Sequence, residues 1–170
     1  MSKHLIVPLW ICTLLTVCSS GDGKSRSVRV ASKGQITLEV TSGTNTVKVT
    51  IYTRELRTWR QSESNLYQPD SNCVIDRVPC SIVDTIKIVK NGKPVFVWRS
   101  VYADLGDLND ATLIIGKEIS TLELSVGDGA EGYFVKIECD GKSVQRRTIY
   151  LDTDEPSDQT EQTVYHMVED

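Results

Sequence analysis

The sequence predicts an all-β fold: a single antiparallel β-sandwich, or an open barrel, of about seven to nine strands with little helix. Three observations carry this expectation. Apolar and polar residues alternate with period two along most of the chain. Turn-forming residues separate the alternating runs. Helix-start signals are almost absent. Across 170 residues the chain is 39% hydrophobic and 25% charged, with a net charge of −4, which excludes a wholly disordered polymer. No strong basic excess marks it as a nucleic-acid binder.

In chain order, Gln35 to Val40 and Thr46 to Tyr52 alternate cleanly, with the turn composition Ser42-Gly43-Thr44-Asn45 between them. Ile82 to Lys90, Pro94 to Val101, Ile119 to Val126 and Gly132 to Cys139 follow. Ser143 to Leu151 and Gln162 to Met167 complete the set, and Thr112 to Ile115 adds a short piece. The best helical segment is one or two turns within Ser100 to Leu108, with Ser100 as its cap.

Asn91-Gly92 is the preferred dipeptide for a two-residue type I′ turn. Placed at a hairpin tip, it pairs Lys90 with Lys93, Ile88 with Val95, Ile86 with Val97, Asp84 with Arg99 and Ile82 with Val101. Ile and Val then share one face, with Phe96 and Trp98 on the other; burial in a core is expected for both aromatics. The two lysines at the tip are expected to be solvated. Asp140-Gly141 marks a second hairpin. Val144 and Ile149 stand five positions apart, so a regular strand cannot turn both inward. A β-bulge near Arg146-Arg147, or a longer turn, is required, with the Arg pair on a solvated edge.

Residues 1–20 read as a secretory signal peptide: Lys3, a mostly apolar core from Leu5 to Val17, then Cys18-Ser19-Ser20. That core is shorter than the roughly 20 residues a membrane-spanning helix needs. Leu15 to Gly21 also resembles a bacterial lipobox, although Val17 stands where that motif has Gly, Ala or Ser. On that reading the leader ends at Val17, and Cys18 is lipidated and anchors the protein to a membrane. Residues 21–170 then form one β-rich domain, with an acidic loop at 152–161. The expected location is periplasmic, secreted or envelope-anchored.

Beyond Ser20 the cysteines are Cys73, Cys80 and Cys139. In an oxidising compartment the nearest pair, Cys73–Cys80, is the expected disulfide, contributing about 2.5 kcal/mol on the chain-entropy model. Cys139 lies in an alternating apolar run and is then a buried free thiol; the alternatives are a bridge from Cys139 to Cys73 or Cys80, or no disulfide at all. No CxxC spacing suggests zinc. Two acidic clusters, Asp104, Asp107, Asn109 and Asp110, and Asp152, Asp154, Glu155 and Asp158, lack EF-hand spacing. They read as capping and turn residues rather than metal ligands.

Catalytic signatures are sparse. His166 is the single His beyond the leader, and no GxSxG, P-loop, HExxH or SxxK occurs. No enzyme activity, cofactor or metal is expected. The richest recognition segment is the connection from Thr53 to Cys80, which holds Arg54, Arg57, Trp59, Arg60 and Tyr67. Trp, Tyr and Arg dominate binding energy at protein interfaces. The sequence reading is therefore a non-catalytic binding or structural protein of the cell envelope, its partner a protein or a cell-wall glycan. One alternative is a small inhibitor of a hydrolase, with the Arg/Trp loop in the enzyme's cleft. A carboxylate-based hydrolase is the second alternative, disfavoured because the acids sit mainly in turns.

Overall fold

The computed structural model describes residues 24–56, 80–127, 132–151 and 159–167. Among the described residues ten strands form two antiparallel sheets. They are β1 (Lys24–Arg29), β2 (Gly34–Ser42), β3 (Asn45–Leu56), β4 (Cys80–Lys90) and β5 (Lys93–Val95). After a crossover come β6 (Leu108–Ile115), β7 (Ser120–Val126), β8 (Tyr133–Cys139), β9 (Val144–Tyr150) and β10 (Gln159–Val164). The larger sheet runs β1-β6-β7-β8-β9-β10 and the smaller β2-β3-β4-β5. This is the predicted antiparallel β-sandwich, its described residues forming sheets of six and four strands. Among the described residues no helix is long and apolar enough to cross a membrane.

The core forms where the two inner faces meet. Leu38, Val47, Val49, Ile51, Ile86 and Ile88 from one sheet face Leu113, Leu122, Leu124, Val135 and Ile137 from the other. Their alternation with polar residues fixes the register, because a one-residue slip would turn each set to solvent. The outer positions carry polar ladders, such as Thr41 beside Thr46 with hydroxyls 3.0 Å apart.

The β4–β5 hairpin begins as predicted. Lys90 pairs with Lys93 and Ile88 with Val95. Asn91 and Gly92 have φ of 52° and 77°, the left-handed values a type I′ turn needs at both positions. A Gly92→Val variant will lose about 1–2 kcal/mol, the cost of forcing a Cβ-bearing residue left-handed. Chemical denaturation measures this, and an unchanged midpoint would contradict the turn assignment.

Beyond Val95 the predicted pairing fails. Phe96 donates its N–H to the Lys142 carbonyl and accepts from the Val144 N–H, which draws the chain onto the turn before β9. The vacated edge of β4 is taken by the crossover instead. Val83 N–H bonds the Leu105 carbonyl, and Asp107 N–H bonds the Ser81 carbonyl. The Asp84–Arg99 and Ile82–Val101 pairs therefore do not form. Arg99–Val101 is a 3-10 turn whose cap is Trp98, without a side-chain cap bond, rather than a helix capped by Ser100.

A bulge completes the change. Tyr52 pairs with Thr85 but Thr53 with Val83, which leaves Asp84 as the extra residue. The phase of β4 shifts there. Val83 joins the main core, while Ile82 packs with Cys80 in a separate small cluster. Asp84 meets Arg54 at 2.6 Å on the exposed surface, a pair worth about 0–1 kcal/mol.

Lys90 also departs from expectation. It is 8% exposed, and its Nζ donates to the Glu118 carbonyl at 2.8 Å. Its neighbour across the ladder is Val47, so its stem lies along the core while the ammonium reaches the open end of the sandwich.

The β8–β9 connection is a longer turn with a bulge one position earlier than expected. Cys139 pairs with Val144 and Glu138 with Arg146, leaving Gln145 as the extra residue. Asp140 Oδ1 accepts the N–H groups of Lys142 and Ser143, the usual role of Asp in a turn. With the phase reset, Arg146 faces outward and Arg147 inward opposite Ile137. Arg147 is thus buried, not on a solvated edge.

Candidate binding surface

The sequence-predicted recognition residues divide unevenly. Arg54 lies on β3, exposed and engaged with Asp84. The strand continues to Leu56, which pairs with Cys80, so the long connection starts after Leu56 rather than at Thr53. Arg57, Trp59, Arg60 and Tyr67 fall outside the described residues, as do Cys73, Cys18 and the whole predicted leader. Most of the acidic loop at 152–161 does too, while Gln159 to Glu161 belong to β10 instead.

Cys80 is buried at the end of the β3–β4 ladder, seven positions from Cys73 in the sequence. Peptide mapping without reductant should recover Cys73 and Cys80 as one linked species. Their recovery as separately alkylated peptides would refute the bridge. Cys139 is the buried free thiol that its alternating run predicts. Burial pushes its pKa from 9.0 up to about 11; nearby Lys90 opposes the rise and Asp140 adds to it.

An aromatic group missed as a site forms where the two sheets approach. Phe96 and Trp98 meet edge to face with centroids 4.9 Å apart. Trp98 stacks on Tyr165 at 5.0 Å and 18°. Phe96 is 52% exposed, against the expectation of core burial; Trp98 is half-buried and packs against the core. The cause is topological. The Phe96 segment runs parallel beside Ser143, while Tyr165 N–H bonds the Gln145 carbonyl at 2.9 Å. Two chain segments thus share one edge of β9 and meet at the Trp98–Tyr165 stack. The sequence signal was the spacing of Phe96 and Trp98 on alternate positions, but their partner Tyr165 lies near the opposite end of the chain.

Phe96 is consequently an exposed ring on a fixed backbone. It is anchored by two backbone hydrogen bonds and one ring contact, so little conformational entropy remains to be lost on binding. The stack sets its chemistry. One face of the Trp98 indole is covered by Tyr165, and the Phe96 ring stands at 88° to it. These rings do not form the open coplanar platform that sugar stacking uses.

The acids are held in structural roles. Asp104 binds Arg147 at 2.5 Å. Asp107, with φ of 48°, accepts the Ser81 N–H at 2.8 Å and is backbone-bonded to Gly127. Glu138 lies between Lys136 and Arg146, each 3.6 Å away. Among the described residues no three His, Cys, Asp or Glu side chains gather as a metal-holding group.

One further motif is present in the sequence. Gly127-Asp128-Gly129-Ala130-Glu131-Gly132 has the spacing of the dinucleotide-binding glycine fingerprint. That fingerprint works by placing a pyrophosphate on a helix N-terminus after a strand. The strands that flank this segment, β7 and β8, are adjacent and antiparallel, not the parallel strands that the fingerprint's strand–helix–strand unit joins.

The fold and this surface define a β-sandwich that presents a rigid aromatic at the junction of its sheets. In comparison with known proteins, the chain matches no family model, no curated protein and no solved structure.

Proposed function

We propose that this is an exported, non-catalytic binding protein of the cell envelope, and that its partner is a protein rather than a cell-wall glycan. The observation that supports the reading is Phe96: half exposed, yet fixed by its backbone bonds and by Trp98. Anchors of this kind, aromatic and preorganised, are where binding energy concentrates at protein interfaces. The stacked rather than coplanar arrangement of Trp98 and Tyr165 favours a protein over a sugar.

The test compares the wild-type protein with Phe96→Ala, each immobilised and exposed to the native envelope fraction and, separately, to purified cell-wall glycan. Wild type should retain a specific envelope protein, and the variant should retain at least about tenfold less, the loss expected of a central anchor. Equal retention by both, or binding of the glycan alone, would overturn the proposal. A second reading, inhibition of a hydrolase by the 57–79 segment, is favoured by the Leu56–Cys80 pairing, which brings the two ends of that segment side by side. It predicts that binding depends on Trp59 instead of Phe96.

A further inference from the structure

Asn91-Gly92, the only Asn-Gly in the chain, closes the β4–β5 hairpin in an exposed position. An unconstrained Asn-Gly is prone to deamidation, because glycine has no side chain to keep its backbone nitrogen from the neighbouring side-chain amide. The nitrogen of Gly92 attacks Cγ of Asn91, the side-chain amine leaves as ammonia, and a cyclic imide forms. Water then opens the ring. Opening at the side-chain carbonyl gives aspartate; opening at the backbone carbonyl gives isoaspartate, with one more carbon in the main chain. Among the described residues, a Cβ built on Gly92 would meet no atom within 4 Å, so bulk does not block the attack.

The fold opposes the reaction in two other ways. Ring closure requires the Gly92 nitrogen to eclipse the Asn91 Cβ across the Cα–C bond. The type I′ turn, with φ of 52° and 77°, holds ψ of its first central residue at about +30°, which leaves that nitrogen almost opposite the Cβ. The side chain is also pinned to the β2–β3 turn. Asn91 Oδ1 accepts the Thr46 N–H at 2.8 Å, and Nδ2 donates to Asn45 Oδ1 at 3.2 Å. The Asn91 N–H bonds the Thr46 carbonyl at 2.8 Å. The carbon under attack and the amine that must leave are thus both held by a second hairpin, 45 residues away in sequence.

We propose that Asn91 is a latent deamidation site, silenced in the folded protein by the clamp of the Asn45-Thr46 turn and released when the two hairpin tips part. Modification at this residue marks molecules that have opened. Aspartate keeps the turn, since Asp-Gly suits type I′ geometry; isoaspartate lengthens the turn by one carbon and does not. This chemistry needs no partner and does not rest on the proposed binding function.

The full-length protein, kept in warm neutral buffer with and without denaturing urea, provides the test, with conversion of Asn91 followed over days by peptide mapping and mass spectrometry. In urea the rate should match that of a synthetic peptide spanning residues 88–95 in the same urea. Without urea it should be at least about tenfold lower, because the hydrogen bonds of the clamp must open first. Equal rates in the two conditions would overturn the proposal. Two variants locate the protection. Asn45→Ala removes the acceptor of Nδ2, and the folded variant should convert several times faster than wild type. Ser27→Ala removes a side-chain hydrogen bond in the larger sheet and should convert at the wild-type rate. Equal acceleration by both variants would assign the protection to global stability, and none by Asn45→Ala would assign it to the turn alone; either overturns the clamp. If Asn45→Ala does not fold, the comparison with and without urea decides.

Discussion

Replacing Asp104 with Ala will lower the folding stability by about 3–5 kcal/mol, the cost of breaking a buried ion pair, here leaving the charge only a solvent-shared acid. Arg147 is 4% exposed and stands on the inner face of β9. One of its terminal nitrogens meets Asp104 at 2.5 Å and the other meets Glu161 of β10 at 3.2 Å. Glu161 is 54% exposed, so water shares it and its attraction is weakened. Asp104, from the crossover after the Arg99–Val101 turn, is the more enclosed partner at 34%. The network is also incompletely satisfied, since Arg147 Nε and Asp104 Oδ1 have no hydrogen-bond partner. Removing Asp104 leaves the guanidinium in the sandwich with one solvent-shared acid. Arg147→Met should cost less, because it removes the buried charge and leaves behind an acid that water can reach. Urea denaturation at constant m-value measures both. A loss under about 1 kcal/mol for Asp104→Ala would mean that Glu161 alone compensates the charge.

Raising the pH will destabilise the wild-type protein by about 2–3 kcal/mol more than a Cys139→Ala variant, the difference accumulating between pH 9 and pH 11. The unfolded thiol loses its proton near 9.0, and the folded thiol holds it up to about 11 because burial disfavours the thiolate. Within that window the unfolded state binds fewer protons than the native state, so stability falls as pH rises. Below pH 9 the contribution is fully present and the wild type shows no such slope from this group. The variant serves as reference because tyrosines and lysines titrate in the same range. Parallel stability curves for the two proteins through pH 11 would contradict the burial of Cys139.

Much of the sandwich is legible in the sequence because alternation is a local signal. Gln35 to Val40, Thr46 to Tyr52 and Tyr133 to Cys139 show it cleanly, and all three are strands. Asn91-Gly92 fixes a hairpin tip for an equally local reason, its left-handed φ values. What escapes reading depends on distant partners. β1 went unpredicted because its only apolar residue is Val28; an edge strand needs little more than a ladder to join. Arg147 and Lys90 look like surface residues until a bulge and an open sandwich end place them inside. The Val97 to Val101 pairing fails because Phe96 finds a better backbone partner at Ser143, far along the chain. The aromatic site is hidden for the same reason, since Trp98 and Tyr165 are joined only by tertiary structure.

The pairing of β1 with β6 sets an order on folding. Ser27 and Thr112 bond across a separation of 85 residues, whereas β2 to β5 and β6 to β10 pair with their neighbours in sequence. Closing so long a loop is rewarded only after the intervening chain is ordered, and contacts of large sequence separation slow the search for the native state. The first of the described strands to be synthesised is therefore among the last to dock. Until Leu108–Ile115 has been synthesised, Lys24–Arg29 has no partner, and its positive charge keeps it from pairing with other copies of itself. The β2–β5 meander will acquire amide protection first in pulse-labelling during refolding, with β1 following the formation of β6.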